Sequence, residues 1–300
     1  MQMNILVTLN SNYIKPLKVM LWSLFFNNRG RDFHVYLIHS SLTPQELEDL
    51  REYINSSGHE FSVIKIPAKY FADAPVVKHY SQEMYYRLLA HRFLPEDLDR
   101  ILYLDPDILV INPINELYET EMKGYLYAAS YHKRALVKGI NMIRLKAYEM
   151  QEYFNSGVLL MNLPLHREKI REEEIFAYLE KNRNRLILPD QDLLNALYSK
   201  EIKKVDEVLY NYDTRFYYYY RIQSNGRVNM DYIMDNTVIL HFCGKKKPWQ
   251  EQYTGEFHSL YKHYERLALG KKVLGSSAKV SAGNWQRILI TDINNNRIIP

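Results

Sequence analysis

Short apolar runs alternate with segments of helical period through the first hundred residues. Residues 4–9, 33–39, 61–66 and 100–104 read as buried strands. Residues 13–26, 43–54 and 83–93 carry apolar side chains at the spacing of a helix face. The helix over 43–54 opens on Thr43, with Pro44 at its first position and Glu46 three residues on, the signature of a capping box. Strand and helix alternating at this pitch predict parallel βαβ units and an α/β sheet. Beyond residue 120 the pattern loosens. Residues 125–130, 158–162 and 237–241 read as strands, 168–181 and 191–198 as helices, and the aromatic stretch 210–220 as loop.

The sharpest local feature is the strand that ends in Asp105-Pro106-Asp107. In extended backbone, positions i and i+2 share a face, so two carboxylates can address one cation, and Pro106 stiffens their presentation. Strand carboxyl ends are where α/β sheets place ligands. A plain Asp-Pro turn is the competing explanation. A second run, His241-Phe242-Cys243-Gly244-Lys245-Lys246-Lys247-Pro248-Trp249, delivers an imidazole from a buried strand and then a glycine and three lysines. Two carboxylates with one imidazole suit manganese or magnesium. Gly244 would admit a phosphate close to backbone N–H groups, and a lysine would counter its charge.

Two further segments are candidates for the same chemistry. Phe154-Asn155-Ser156-Gly157 enters a buried run, and Pro189-Asp190-Gln191-Asp192 opens a helix. Asp190 fits the N-cap and Asp192 the first turn, which would explain both acids structurally. Arg87 follows Tyr85-Tyr86 on the helix expected over 83–93, after a loop holding Lys78 and His79. It reads either as an exposed arginine or as a clamp for phosphate or carboxylate.

Charge and cysteine content narrow the class. A net charge of +4 over 300 residues does not call for nucleic acid, and one cysteine, Cys243, excludes a disulfide framework and a Cys-rich zinc site. Basic residues gather at the end. Arg266, Lys271, Lys272, Lys279, Arg287 and Arg297 stand against Asp292 alone, so residues 266–300 form a basic tail behind a 1–265 domain. Such a tail has the chemistry for a peripheral contact with an anionic membrane surface. With no basic leader and no apolar run near 20 residues, the expected location is the cytoplasm.

The ordered set Asn10-Ser11-Asn12-Tyr13, Tyr86-Arg87-Leu88, Tyr103-Leu104-Asp105-Pro106-Asp107, Phe154-Asn155-Ser156-Gly157, Asp190-Gln191-Asp192 and the run from His241 to Trp249 resembles glycosyltransferase family 8. The likeness is nearest to bacterial lipopolysaccharide α-galactosyl- and α-glucosyltransferases, with glycogenin more remote. It implies a GT-A fold, a Rossmann-like mixed sheet flanked by helices. It also implies transfer of glucose or galactose from UDP-glucose or UDP-galactose, with retention, to a glycan, glycolipid or glycoprotein. By position, Asp105, Asp107 and His241 would hold Mn2+ or Mg2+. Asn10, Asn12 and Tyr13 would meet the nucleoside. Arg87, Asn155, Asp190, Gln191 and Asp192 fall on the donor-sugar motifs, with Gln191 nearest the reacting carbon and Asp190 the nucleophile if the route is covalent. Gly244 and Lys247 would contact phosphate. Two departures stand out: Asn10 replaces an aspartate common in relatives, and no acid follows Ser130 until Glu149. Rival functions are a silent UDP-sugar-binding protein on this fold and a haloacid-dehalogenase-type phosphatase, although Leu109 replaces the Thr or Val that motif requires.

Overall fold

In a computed structural model, residues 2–67, 70, 83–131 and 135–270 are described. Lys78, His79, His132 and the tail beyond Gly270 lie outside them. Seven strands form the main sheet: β1 (Met3–Thr8), β2 (Phe33–His39), β3 (Glu60–Lys65), β4 (Arg100–Leu104), β6 (Tyr127–Ala129), β7 (Val158–Asn162) and β8 (Ile202–Lys204). Their order is β3-β2-β1-β4-β7-β6-β8. A second, three-stranded sheet is ordered β5-β10-β9, from β5 (Ile108–Val110), β9 (Tyr212–Asp213) and β10 (Ile239–His241).

The first four strands of the main sheet pair in parallel, as alternating strand and helix require. Beyond β4 the sheet is mixed, with β7 antiparallel to both β4 and β6. Ile5, Val7, Leu37, Leu102, Leu104 and Leu160 share one apolar cluster, while Leu6, Ile38, Ile101, Tyr103 and Leu159 belong to another, so strand alternation feeds two layers. Helix Pro44–Ser56 starts at the expected capping box, with the Thr43 side chain accepting from the Glu46 N–H and Glu46 accepting from the Thr43 N–H.

Three expectations are corrected. In place of a helix over 83–93 there is one α turn, Glu83–Tyr86, and one 3-10 turn, Ala90–Arg92. Residues 85 to 91 are all buried, so the segment has no polar face for a helical period to mark. The helix over 168–181 is two helices, Leu163–Lys169 and Glu172–Asn182, parted at Ile170, whose extended backbone turns its side chain into the core. The stretch 210–220 is not mere loop. It holds β9 and the start of helix Tyr217–Gln223, and Tyr217 and Tyr220 pack in a third apolar cluster with Phe242, Phe257 and Tyr261.

Two strand registers position the site. β4 and β7 pair Leu104 with Val158, so Asp105 leaves one strand where Gly157 enters the other, and the Asp105 N–H donates to the Gly157 carbonyl (2.8 Å). β5 and β10 pair Ile108 with His241, which sets Asp107 beside Phe242; the Phe242 N–H donates to the Asp107 carbonyl (3.0 Å). The acids themselves sit in the turn between β4 and β5, not on extended strand. No helix among the described residues is long and apolar enough to cross a membrane.

Buried histidines give the fold a defined acid response. His166 donates from Nε2 to the Leu126 carbonyl, and burial lowers its pKa to about 3. Burial and the neighbouring Arg92, Arg167 and Arg171 lower that of His91 to about 4. Unfolded histidine titrates near 6.5, so between pH 6.5 and about 4 the unfolded chain binds more protons and stability falls as pH falls. The limiting slope is about 1.4 kcal/mol per pH unit for each histidine. Urea midpoints measured from pH 7 to 5 are expected to decline, and His166→Gln to flatten the decline; an unchanged slope in the variant refutes the assignment.

Candidate active site

Asp105, Asp107 and His241 converge where the two sheets meet, each offering a ligand atom within 4.8 Å of the others. His241 Nε2 lies 3.3 Å from Asp107 Oδ1 and 3.8 Å from Asp105 Oδ2. Asp107 and His241 are buried, and Asp105 is partly open. Two carboxylate oxygens and one imidazole nitrogen at this separation fit a small divalent cation of the manganese or magnesium kind.

Each carboxylate also has a fixed positive partner. The Lys247 ammonium pairs with Asp107 Oδ2 and donates to the Phe242 carbonyl (2.9 Å). Burial alone would raise the Asp107 pKa, but Lys247 and His241 outweigh it and hold the carboxyl well below the usual range. Burial works against charge on Lys247 as well, and Asp107 more than compensates, raising its pKa. Arg87 bridges the other way, 3.1 Å from Asp105 Oδ1 and 3.2 Å from Asp190 Oδ2, and donates to the Ser156 carbonyl (2.9 Å). Its guanidinium lies 4.2 Å from the centre of the Tyr103 ring, whose hydroxyl donates to Asp105 Oδ1 (2.5 Å). Arg87 is therefore a buried clamp between two acids, not an exposed arginine.

Gly157 is required by packing. A Cβ there would lie 2.4 Å from His241 Cε1 and 2.5 Å from Asp105 Oδ2, so any side chain would enter the cluster. Its N–H donates to Asn155 Oδ1 (2.8 Å). Gly244 has φ +89°, a left-handed conformation that favours glycine, and it lies against the Arg215 guanidinium.

Helix Pro189–Tyr198 places its acids differently from the sequence expectation. Its N-cap is Leu188, and Asp190, one turn position inside, accepts from the Ser156 hydroxyl (2.8 Å) and faces Arg87. Burial raises the Asp190 pKa, with Arg87 opposing. Asp192 reaches back over the start of the helix, its Oδ2 accepting from the N–H groups of Ile187 (2.7 Å) and Leu188 (3.1 Å). Asp192 is fully buried, and Arg144 (2.8 and 2.5 Å) and Tyr153 (2.5 Å) also donate to it. Both carboxylate oxygens of Asp192 are thus engaged within the fold. Gln191 lies next to the cluster, with Oε1 3.4 Å from both Asn155 Nδ2 and the Ser156 N–H.

At the end of β1, Asn10 caps the 3-10 turn Ser11–Tyr13 by accepting from the Asn12 N–H (3.1 Å). Tyr13 faces the cluster. Burial raises its pKa, Lys247 lowers it, and Asp107 and Asp105 raise it, while its ring meets Trp249 edge-on at 5.8 Å. A cavity of about 380 Å3 opens on the Arg215 side of Gly244, lined among others by Tyr217, Tyr218, Cys243, Lys245 and Tyr253. Tyr218 is the exposed ring of the 216–220 run.

Four contributors escaped the sequence reading: Tyr103, Arg144, Tyr153 and Asn211. Asn211 is buried and bonded to both Asn155 and His241. Tyr103 sat inside a quoted motif, two residues before Asp105, so strand periodicity would have put it on that face. Nothing in the local sequence marks the other three.

The chain is thus an α/β protein whose mixed sheet carries a carboxylate–carboxylate–imidazole cluster at its strand ends, and sequence comparison supplies the family. The family model for glycosyl transferase family 8 matches residues 4–253. This chain belongs to that family. It is 25% identical to general stress protein A of Bacillus subtilis (strain 168), across 87% of this chain and 92% of the relative. It is also 25% identical to the lipopolysaccharide 1,2-glucosyltransferase of Escherichia coli (strain K12), across 83% and 73%. Among solved structures, the galactosyltransferase LgtC in complex with donor and acceptor sugar analogues superposes with a TM-score of 0.76 at 21% identity, covering 88% of this chain and 95% of LgtC. The fold is GT-A.

Gly157→Ala tests the packing of the cluster. The added methyl is expected to cost about 1–3 kcal/mol as overpacking and to displace His241 or Asp105. Calorimetric titration with Mn2+ should then show binding lost or weakened at least tenfold, with a lowered melting temperature. Cation affinity equal to wild type would show that the close approach is not binding.

Proposed function

We propose that this transferase is a retaining hexosyltransferase that moves glucose or galactose from a UDP-sugar to a glycan, glycolipid or glycoprotein acceptor, with Mn2+ or Mg2+ held by Asp105, Asp107 and His241. The observation that carries this reading is the meeting of those three side chains from two sheets, with the Lys247 ammonium on the same carboxylate. The glucosyl- and galactosyltransferases among the relatives support a hexose donor.

When bound, a divalent cation neutralises charge developing on the departing diphosphate. Lys247 adds a second positive charge at the same place, and the Gly244 turn lets backbone approach phosphate. Tyr13 and the asparagines at the end of β1 lie on the nucleoside side. Arg87 pairs with both Asp105 and Asp190 and holds the two carboxylates in orientation. Gln191 and Asn155 face the transferred sugar. Asp190 Oδ2 is already engaged by Ser156 and Arg87, which favours front-face attack through a short-lived ion pair over a covalent sugar–Asp190 adduct. The acceptor enters through the cavity beside Gly244, where Tyr218 and Tyr253 offer rings to the apolar face of a sugar.

A UDP-release assay over UDP-glucose, UDP-galactose and their N-acetyl forms is expected to show turnover with Mn2+ or Mg2+ and none with chelator. Asp105→Asn and Asp107→Asn should each lose roughly 10²–10³-fold or more in kcat, on the scale of removing an electrostatic stabiliser. Wild-type turnover in both variants would overturn the reading. Thermal stabilisation by UDP and Mn2+ without UDP release would instead identify a binding protein.

A further inference from the structure

The cation cluster and the sugar-side residues are joined by one buried hydrogen-bond chain that passes through Asn211. His241 Nδ1 lies 2.8 Å from Asn211 Oδ1, Asn211 Nδ2 donates to Asn155 Oδ1 (2.9 Å), and the same oxygen accepts from the Gly157 N–H (2.8 Å). Asn155 Nδ2 in turn lies 3.4 Å from Gln191 Oε1. Asn211 is 3% exposed, held between helix Glu207–Tyr210 and β9, and its own N–H donates to the Glu207 carbonyl.

The direction of every bond follows from one backbone group. The Gly157 N–H can only donate, so the Asn155 atom it meets is the carbonyl oxygen. That oxygen can only accept, so Asn211 must present its NH2 there and its carbonyl oxygen to the histidine. A carbonyl oxygen facing Nδ1 demands the proton on Nδ1. Nε2, 3.3 Å from Asp107 Oδ1, is then the nitrogen left to offer a lone pair to a cation in the space shared with Asp105 and Asp107. The other tautomer would set two acceptors against each other at 2.8 Å and leave a buried oxygen unpaired, which is costly.

We propose that Asn211 is a positioning residue of the transfer reaction: it fixes the tautomer and ring orientation of His241 for cation binding, and through the same amide it fixes Asn155 for the donor sugar. The two functions use opposite ends of one side chain, so they are separable. This inference rests on the cation reading of the site. It adds a residue from outside the quoted motifs and a physical link between the cation and sugar subsites.

The test uses the full chain and reads Mn2+ affinity by calorimetric titration, with donor KM and kcat measured alongside. Loss of an outer partner of a ligating histidine typically weakens metal binding 10–100-fold, and Asn211→Ala is expected to fall in that range. Asn211→Asp keeps an oxygen for the Nδ1–H but cannot donate to Asn155. It should bind Mn2+ close to wild type while donor KM rises, a split that a merely structural residue would not produce. If Asn211→Ala does not fold, the nearly isosteric Asn211→Leu replaces it. Mn2+ affinity unchanged in the folded Ala or Leu variant overturns the role of Asn211 while leaving the site reading intact. Equal weakening in Asn211→Asp also overturns it, since the rescue has failed. A wild-type chain that binds no Mn2+ ends the site reading and this inference together.

Discussion

Two carboxylates and an imidazole held within 4.8 Å of one another are a costly thing to build, because like charges repel and burial raises the cost. The structure answers with two cations of its own. Lys247 compensates Asp107, and Arg87 compensates both Asp105 and Asp190. Most of the polar architecture nearby serves this balance. Tyr103 holds Asp105 from one side, Ser156 holds Asp190, and the Phe242 carbonyl fixes Lys247. Removing either cation would take the Lys or Arg partner from a buried carboxylate, Asp107 or Asp190, a change that typically costs several kcal/mol.

The sheets contribute precision. A turn is a weak place to aim two side chains, yet the Asp105–Asp107 turn is pinned at both ends by strand pairing, Leu104 to Val158 and Ile108 to His241. A one-residue slip in either ladder would turn every side chain on that strand to the other face. The small second sheet therefore matters more than its size suggests. It carries His241 to the cluster, and its aromatic packing around Phe242, Tyr212 and Tyr261 keeps that strand in place.

The strand-and-helix alternation of the first hundred residues was legible because β1, β2 and β4 are apolar over most of their length and helix Pro44–Ser56 buries one face only. The segment after residue 83 was not, because burial on all sides erases the period. Within the site, Asp105, Asp107 and His241 could be read as a set because their types suit one cation and each follows or ends an apolar run. Asp190 is not the N-cap because the helix begins two residues earlier than a capping aspartate there would require, and it is Asp192 that accepts from the amides of Ile187 and Leu188. Asn211 was invisible in principle. An asparagine between two tyrosines has no local signature, and its partners are 56 and 30 residues away.

The separation along the chain has a further consequence. Asp107 and its lysine partner are 140 residues apart, and neither pinning ladder closes until β7 and β10 have joined the sheets. No fragment ending before His241 holds all three side chains of the cluster, so an emerging chain cannot assemble it until β10 has been made. A ligand that recognises only the finished arrangement draws the folding equilibrium toward it by mass action. Any ligand of the proposed site would therefore favour molecules in which both ladders are in register over those in which either is not.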